Sequence, residues 1–387
     1  MNIGIDLISF YTPPFFLSLT DLAAQRKISA EKYTIGIGQD EMSILPPDED
    51  VVTMGANAAQ SLLDKVDKTQ IKALIFATES GVDQSKSAGM FVHRLLGLSK
   101  ECRVIEMKQA CYSGTFSLHS AMGLISLQKN AKVLVINSDV ARYDLNSPGE
   151  PTQGCGAVAL IVSNNPRLLK VESESAYISE DVMDFWRPNY RSSAIVDGQY
   201  STKIYLKALN ECWKKYGELT KRLPEHVHHF CFHLPFTRMA EKALKQLFRC
   251  KEEFQSRFIK SSPGFRYNRV VGNSYTASLY LNLCSLLDCS AENLEGHRVG
   301  LFSYGSGFVA EFFSGVIQAG YGSHLLKDLH SRLISQRKKI SYREYLEFYH
   351  YALPEQGEVF NVPHFTNGHF RFSGLDNHKR LYEKTVS

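Results

Sequence analysis

The stretch Cys102–Thr115, CRVIEMKQACYSGT, decides how the chain is read. Its first half, CRVIEMK at 102–108, has the composition of a short buried strand. Beyond it the period changes: Leu118, Ala121, Met122 and Ile125 recur at i, i+3, i+4 and i+7, the spacing of a helix with one buried face. A strand that turns straight into a helix is the repeating unit of an α/β layered fold. Cys111 falls on the turn between them. Unpaired backbone N–H groups and the positive end of the helix dipole favour an anion there, so the position predicts a thiol that ionises more easily and can act as a nucleophile. A buried, inert cysteine is the alternative at this position.

Outward from this turn the same rhythm continues. ALIFATES at 73–80 is an apolar strand ending on Thr78, Glu79 and Ser80. Burying an isolated carboxylate is costly, and strand ends in α/β folds are where ligand crevices form. Glu79 is therefore either a catalytic acid or base, or a residue near the start of the next helix that favours its dipole. KVLVINSDVARY at 132–143 is another buried strand with a polar end, and GEPTQGCGAVALIVSN at 149–164 holds a glycine-rich turn and a strand. IGIDLISFY begins the chain as a strand stopped by Pro13-Pro14, with helices expected over Leu19–Gln25 and Val52–Leu63. Residues 1–165 thus alternate strand and helix. IGIGQDEM at 35–42 has glycines only at 36 and 38, which excludes a dinucleotide fingerprint.

Residues 166–205 break the rhythm. EDVMDFWRPNYRSSAIVDGQYS reads as an insertion on the surface or over a pocket. A helix at 201–218, the strand HHFCFHLPF, a helix Arg238–Arg249, a helix from Gly272 with Leu279, Leu283, Leu286 and Leu287 on one face, and the strand pair RVGLFSYGSGFVAEFFSGV then follow. The pairs KVLVINSD with GAVALIVS, and RVGLFSYG with FVAEFFSG, would close two halves in a comparable way, which predicts an internal duplication over 1–165 and 166–320. The remainder, 321–387, is expected to be a partly helical appended cap or interface element.

The 387 residues are 44% hydrophobic and 22% charged, ordinary for a globular protein, and a net charge of +4 does not suggest a nucleic-acid binder. Eight cysteines without a CxxC pair, and no leader-like N-terminus, predict free thiols in the cytoplasm. No apolar run is long enough to span a membrane. His226, His228 and His229 cluster without metal-site spacing and read as a surface loop. His233, beside Phe232 and Leu234, is either a satisfied core histidine or an acid/base partner of a thiol. Asn273 suits a helix N-cap as well as a substrate contact. SYGSGF at 303–308 is either a tight hairpin or, with the Cys111 N–H, an oxyanion hole.

The segments NIGIDLISFY, IGIGQDEM, FATES, ACYSGT, DVARY, GEPTQGCGAVA, EDVMDFWRP, FHLPFTRM, YNRVVGNSYTASLYL and LFSYGSG run in order from residue 2 to about 315. In this the chain resembles the bacterial hydroxymethylglutaryl-CoA synthases of the thiolase-like superfamily. The resemblance implies a layered αβαβα fold from two duplicated halves, with an insertion and a C-terminal extension. It implies Cys111 as the nucleophile acetylated by acetyl-CoA, Glu79 as the base that deprotonates the acetyl methyl, and His233 as the residue that binds and protonates the acetoacetyl-CoA ketone oxygen. Asn273 and the Ser306 backbone would hold thioester carbonyls. Asp139, Tyr143 and Asp184 match polar positions lining the family's site, and Arg238, Lys242 and Lys245 the side facing the CoA phosphates. The substrates are CoA thioesters and no metal, flavin or nicotinamide cofactor is implied; a homodimer is. Two departures stand out: Tyr112-Ser113-Gly114 where relatives often carry alanines, and Arg238 where lysine is common, both bearing on CoA against acyl-carrier-protein preference. A polyketide β-branching synthase of the same family and a non-catalytic scaffold are the competing readings.

Overall fold

A computed structural model describes residues 2–248 and 250–385. Nine strands form one mixed sheet: β1 (Ile3–Tyr11), β2 (Ile71–Ala77), β3 (Arg103–Met107), β4 (Lys132–Ala141), β5 (Gly154–Asn164), β6 (Leu169–Ser179), β7 (His229–Phe232), β8 (Arg298–Gly305) and β9 (Val309–Ile317). Their order is β7-β8-β9-β6-β1-β5-β4-β2-β3. The principal helices are α1 (Val51–Leu63), α2 (Ala88–Leu96), α3 (Ser113–Leu127), α4 (Gly198–Thr220), α5 (Met239–Leu247) and α6 (Ser278–Cys289).

The duplication is visible in the pairing. β2 runs parallel to β4, β4 antiparallel to β5 and β5 antiparallel to β1; likewise β7 is parallel to β8, β8 antiparallel to β9 and β9 antiparallel to β6. The halves meet where β1 and β6 pair only through Gly4 with Lys170 and Ile5 with Leu169.

Side-chain alternation along each strand produces the layers. In β2, Ala73 and Ile75 face a central core with Leu118, Ala121 and Ile125 of α3 and Leu279, Leu283 and Leu286 of α6. Leu74 and Phe76, on the other face, meet α1 and α2. In the second half Val299 and Leu301 join the central core, whereas Phe302 and Tyr304 pack with α4 and α5. Helices therefore cover both outer faces and fill the middle, the thiolase-like αβαβα arrangement.

Several expectations need correction. β3 is a strand but not a buried one: it lies at the sheet edge, with Ile105 53% exposed. Met122 is only partly buried, at the rim of the helix face. The break at 166–205 is not all insertion, because β6 is an inner strand joining the halves; only the segment after Ser179 leaves the sheet. The helix expected from Gly272 starts at Ser278, after an irregular loop and a short 3-10 turn at Tyr275–Ala277. The helix from Arg238 ends at Leu247, and Arg249 lies outside the described residues. The tail adds two helices, α7 (Lys327–Ser335) and α8 (Tyr342–Tyr349), and an unexpected hairpin of β10 (Phe370–Asp376) and β11 (Lys379–Lys384). It is not a peripheral cap: Phe370, Phe372, Leu375 and Tyr382 belong to the outer core of the first half.

Candidate active site

The site lies at the C-terminal ends of β2, β7 and β8, where each strand stops and its next residues turn polar. β2 ends at Ala77, and Thr78 and Glu79 are held from below by Asp139, near the end of β4. Asp139 Oδ1 accepts from Thr78 Oγ1 (2.8 Å) and Glu79 N (2.9 Å); Oδ2 accepts from Thr276 N (3.1 Å) and Thr276 Oγ1 (2.5 Å). A fully buried carboxylate with both oxygens engaged does not reach a ligand. Asp139 ties the Glu79 loop to the 273–278 loop. The helix-start alternative for Glu79 fails, since α2 begins only at Ala88.

The Cys111 turn is as expected in place and different in chemistry. Tyr112 occupies the N-cap position of α3 without a side-chain capping bond, and Ala110 takes a φ of 42°, a conformation that side chains rarely adopt. Two glycines allow the close approaches around it. A Cβ on Gly114 would lie 2.4 Å from Asn137 Oδ1, and one on Gly305 would lie 2.6 Å from Gln109 O and from Tyr112 N. The end of β8 is thus pressed onto the turn that carries the cysteine. Cys111 Sγ donates to Glu79 Oε1 across 3.2 Å. Burial raises the Glu79 carboxyl to about 8, and the charge of Asp139 adds to this. Burial, then the Glu79 charge, push the Cys111 thiol well above its ordinary range. The predicted easing of ionisation by the helix dipole is therefore outweighed. The thiol is protonated in the resting protein, and Glu79, in its ionised form, is the acceptor in contact with it.

His233 follows β7, its N–H bonded to Phe302 O (2.9 Å) and its carbonyl accepting from Tyr205 Oη (2.9 Å). The imidazole is 4% exposed, and burial lowers it to about 3, so it is neutral. Nδ1 is buried with no partner among the described residues, which speaks against the satisfied core histidine. The next residue, Leu234, bonds through N to Ser278 Oγ (2.9 Å), which joins the His233 loop to the start of α6. The loop Gly272–Ala277 thus touches both the Glu79 side, through Thr276, and the His233 side. The acid and the thiol touch; the imidazole makes no hydrogen bond with either.

Asn273 is buried, and its Oδ1 accepts from Tyr275 N (2.9 Å), so the Nδ2 donor is what it offers a ligand. It does not cap α6. In the glycine turn, Gly307 N donates to Asp184 Oδ1 (3.0 Å) and Phe308 N to Glu180 O (2.6 Å). Two of the expected oxyanion donors are therefore committed, while Ser306 O accepts from Gln109 Nε2 (3.3 Å) at the cysteine turn. Asp184 is fully buried and also accepts from Tyr304 Oη (2.7 Å) and Ser201 Oγ (3.0 Å), so it shapes the turn without lining the site. Tyr143 is buried against Phe185, and burial raises its phenol. Arg238 lines a cleft of about 460 Å³ with Arg266 and Arg269, and pairs with Glu241 (3.1 Å). Lys242 and Lys245 do not line that cleft; Lys242 lies 5.2 Å over the Phe236 ring and Lys245 pairs with Glu241 (2.5 Å).

Two residues were not singled out from the sequence. Arg187, in the segment over the site, donates through Nη2 to Glu79 O and lowers the proton affinity of Glu79. Tyr275 has a φ of 42°, and its buried hydroxyl, next to the Tyr143 phenol, has no partner within hydrogen-bond geometry among the described residues. It packs on Phe185 at 5.6 Å. The only sequence signal for either was membership of an irregular segment between regular elements. A cleft of about 1170 Å³ opens beside Glu79, Ala110, Arg187 and Ser306 and runs along β3; Cys111 and His233 do not line it.

Models of the N-terminal and C-terminal parts of hydroxymethylglutaryl-coenzyme A synthase match residues 1–166, and 171–257 with 250–352. The chain belongs to the hydroxymethylglutaryl-CoA synthase family. It is 42% identical to the hydroxymethylglutaryl-CoA synthase of Enterococcus faecalis over 89% of this chain and 91% of that one. It is 33% identical to a polyketide-biosynthesis 3-hydroxy-3-methylglutaryl-ACP synthase of Bacillus subtilis, over 82% and 80% of the two chains. Among solved structures, a hydroxymethylglutaryl-CoA synthase complexed with CoA superposes with a TM-score of 0.96 at 36% identity, covering 100% of both chains. The synthase of the curacin biosynthetic pathway superposes at 0.92 and 31% identity, again covering 100% of both. Members of this family are condensing acyltransferases, so the chain is an enzyme of that type. Among the described residues no helix is long and apolar enough to cross a membrane.

Proposed function

We propose that the chain condenses acetyl-CoA with acetoacetyl-CoA and water to give 3-hydroxy-3-methylglutaryl-CoA and CoA, as a step in the mevalonate route. The observation that carries this reading is the contact of the Cys111 thiol with a carboxyl held near neutral pH. In the first step Cys111 Sγ attacks the acetyl carbonyl and its proton passes to Glu79, which hands it on to the departing CoA thiolate, so that CoA leaves as thiol and Glu79 is left as the carboxylate. This is covalent catalysis with the nucleophile activated by an adjacent base. Glu79 then removes a methyl proton from the acetyl-cysteine, and the carbon forms a bond to the ketone carbon of acetoacetyl-CoA. A base poised near the working pH suits a weak carbon acid. The neutral His233 ring donates its N–H to the ketone oxygen and gives up that proton to form the 3-hydroxyl; the ring then regains a proton from solvent while Glu79 releases the methyl proton. Asn273 Nδ2 and the Ser306 N–H are the fixed donors for thioester oxygens. Water finally cleaves the enzyme thioester, restoring the thiol and releasing the product.

In this scheme Asp139 and Asp184 position loops, whereas Tyr143 and Tyr275 border the acyl groups. Arg238 is the cation for a CoA phosphate, with Lys242 and Lys245 behind it. Residues 1–165 and 166–320 are the two halves and 321–387 an extension that stabilises the first. Greater similarity to the CoA-using relative than to the carrier-protein one favours free CoA thioesters. The exposed edge β3, with the apolar side chains Ile105, Met90 and Phe116 around it, supports pairing of two copies in a cytoplasmic homodimer. Rates with acetoacetyl-CoA and with an acetoacetyl carrier protein at equal concentration test the substrate assignment. Faster turnover of the carrier-bound form would replace it by the polyketide β-branching reaction.

A further inference from the structure

Of the three histidines expected on a surface loop, His226 is exposed in a short 3-10 turn and His228 is half-buried, but His229 is placed otherwise. His229 is the first residue of β7 and fully buried, and its neighbour in space is His297, which immediately precedes β8. His229 Nε2 lies 3.0 Å from His297 Nδ1 and 3.7 Å from Glu292 Oε1. The three donor atoms lie within 4.8 Å of one another. We propose that His229, His297 and Glu292 form a site for one first-row divalent cation of the zinc class, which clamps the starts of β7 and β8 together.

The argument rests on geometry and tautomers. Tetrahedral coordination with bonds of about 2.0–2.1 Å puts neighbouring ligand atoms about 3.3 Å apart, and the observed separations fall either side of that. His229 Nδ1 lies 2.9 Å from Lys260 O, which can only accept. The proton is therefore on Nδ1 and the lone pair on Nε2 points at the cluster, the backbone-oriented arrangement usual for a metal-binding histidine. Without a cation, His297 Nδ1 must carry the proton shared with His229. A cation replaces that proton, which moves to the outer nitrogen of the same ring, so no net proton is lost. His228 stacks on His297 at 4.6 Å and 7°, and its own Nδ1 accepts from Arg298 N (3.0 Å), fixing the ring that turns its Nδ1 inward. Of the nearby cations, Arg298 pairs with Glu172 (2.9 Å) and Arg257 donates to Val227 O (2.7 Å), while the charge of Lys260 acts on the neighbouring His228. Glu292 is 48% exposed, which leaves a route of entry and a fourth position for water. Two imidazoles and one carboxylate select zinc, cobalt or nickel over magnesium or calcium.

The second such cluster, Cys284, Asp288 and His330, is different in kind. His330 Nδ1 is already bonded to Asp288 (2.6 Å), its Nε2 lies 3.2 Å from Ser9 Oγ, and the histidine is wholly buried.

The proposed site is remote from the chemistry. β7 and β8 run parallel, and His233 and Gly305 lie at their far ends. Its test needs no turnover. The chelator-treated full chain is titrated with Co²⁺ and read by visible absorbance, with Zn²⁺ as competitor. Saturable binding of one Co²⁺ with the bands of nitrogen and oxygen coordination is expected. Zn²⁺, but not Mg²⁺, should raise the unfolding temperature, because a ligand of the folded state stabilises it. Glu292→Gln, at a half-exposed position, and His297→Gln should each weaken Co²⁺ binding at least tenfold. Absence of saturable binding, or affinities unchanged in both variants, overturns the proposal; so does a thiolate charge-transfer band that both variants retain.

Discussion

Replacing Asp139 by Asn tests how the site sets its base. Condensation needs ionised Glu79, so its rate should rise with pH around the raised value of about 8. Asp139 adds to that value by charge, after burial. Removing the charge makes Glu79 easier to ionise, and the rising limb should move to lower pH. Burial remains, so the limb should stay above the ordinary carboxylate range; a drop of about one unit, or about 1.4 kcal/mol, is expected. The same change has a structural cost. Asp139 accepts from two backbone N–H groups, Glu79 N and Thr276 N, as well as from two hydroxyls. Asn has one acceptor oxygen, so one backbone N–H is left facing an amide donor, at a cost of about 1–3 kcal/mol. The assay is single-turnover condensation from pre-acetylated enzyme across pH, with the unfolding midpoint measured alongside. A lower midpoint with an unmoved or upward-shifted limb would refute the electrostatic part and leave Asp139 as a brace alone.

Three further outcomes are expected. Glu79 holds a proton in the folded protein up to about pH 8 that the unfolded chain releases near 4.5, so it makes stability fall as pH rises between those values. Glu79→Gln should flatten that fall and exceed the wild type at pH 8 by about 4 kcal/mol, read from urea midpoints at pH 5 and 8; equal slopes would count against the raised carboxyl. Gly305→Ala would set a Cβ 2.6 Å from backbone atoms of Gln109 and Tyr112, which cannot swing aside. It should lower the acetylation rate of Cys111 at least about tenfold, since small misplacements cost that much, with circular dichroism unchanged. Arg380→Ala removes the bond to Asp50 (2.8 Å), which ties the tail hairpin to the start of α1, and the stack on Phe372 (4.2 Å) within the hairpin. At 20% side-chain exposure the loss should be about 1–3 kcal/mol in urea unfolding.

What could be read in the letters was whatever local period or a sharp punctuation mark encodes. The apolar runs at 73–77 and 132–138 were visible as strands because they are buried on both faces by helices. The cysteine turn was visible because period 2 gives way to period 3.6 within ten residues. Edge position was not: nothing in RVIEM says that β3 has a neighbour on one side only. The ionisation state of Cys111 is not legible locally: the dipole argument sees only the turn, while burial comes from the whole fold and the Glu79 contact from a residue 32 positions away in sequence. Asp139 and Asp184 showed only as polar letters, since their roles come from hydrogen bonds to loops far along the chain. The tail hairpin did carry a signal, Phe370 and Phe372 alternating with charges before Asn377 and His378, both at positive φ. Aromatic and basic residues spread across 341–384 obscured it. The His229 and His297 pair, 68 residues apart, had no sequence signal at all.

The central claim is that Cys111 carries the acetyl group and Glu79 acts on it afterwards. The direct measurement is intact-protein and peptide mass after incubation with isotope-labelled acetyl-CoA, followed by a chase with acetoacetyl-CoA. The wild type should gain one acetyl on Cys111 and lose it as labelled 3-hydroxy-3-methylglutaryl-CoA. Cys111→Ala should gain none, and Glu79→Gln should take up the acetyl, though more slowly, and fail to pass it on. Label on another residue, label persisting in Cys111→Ala, or condensation at the wild-type rate in Glu79→Gln would contradict the account.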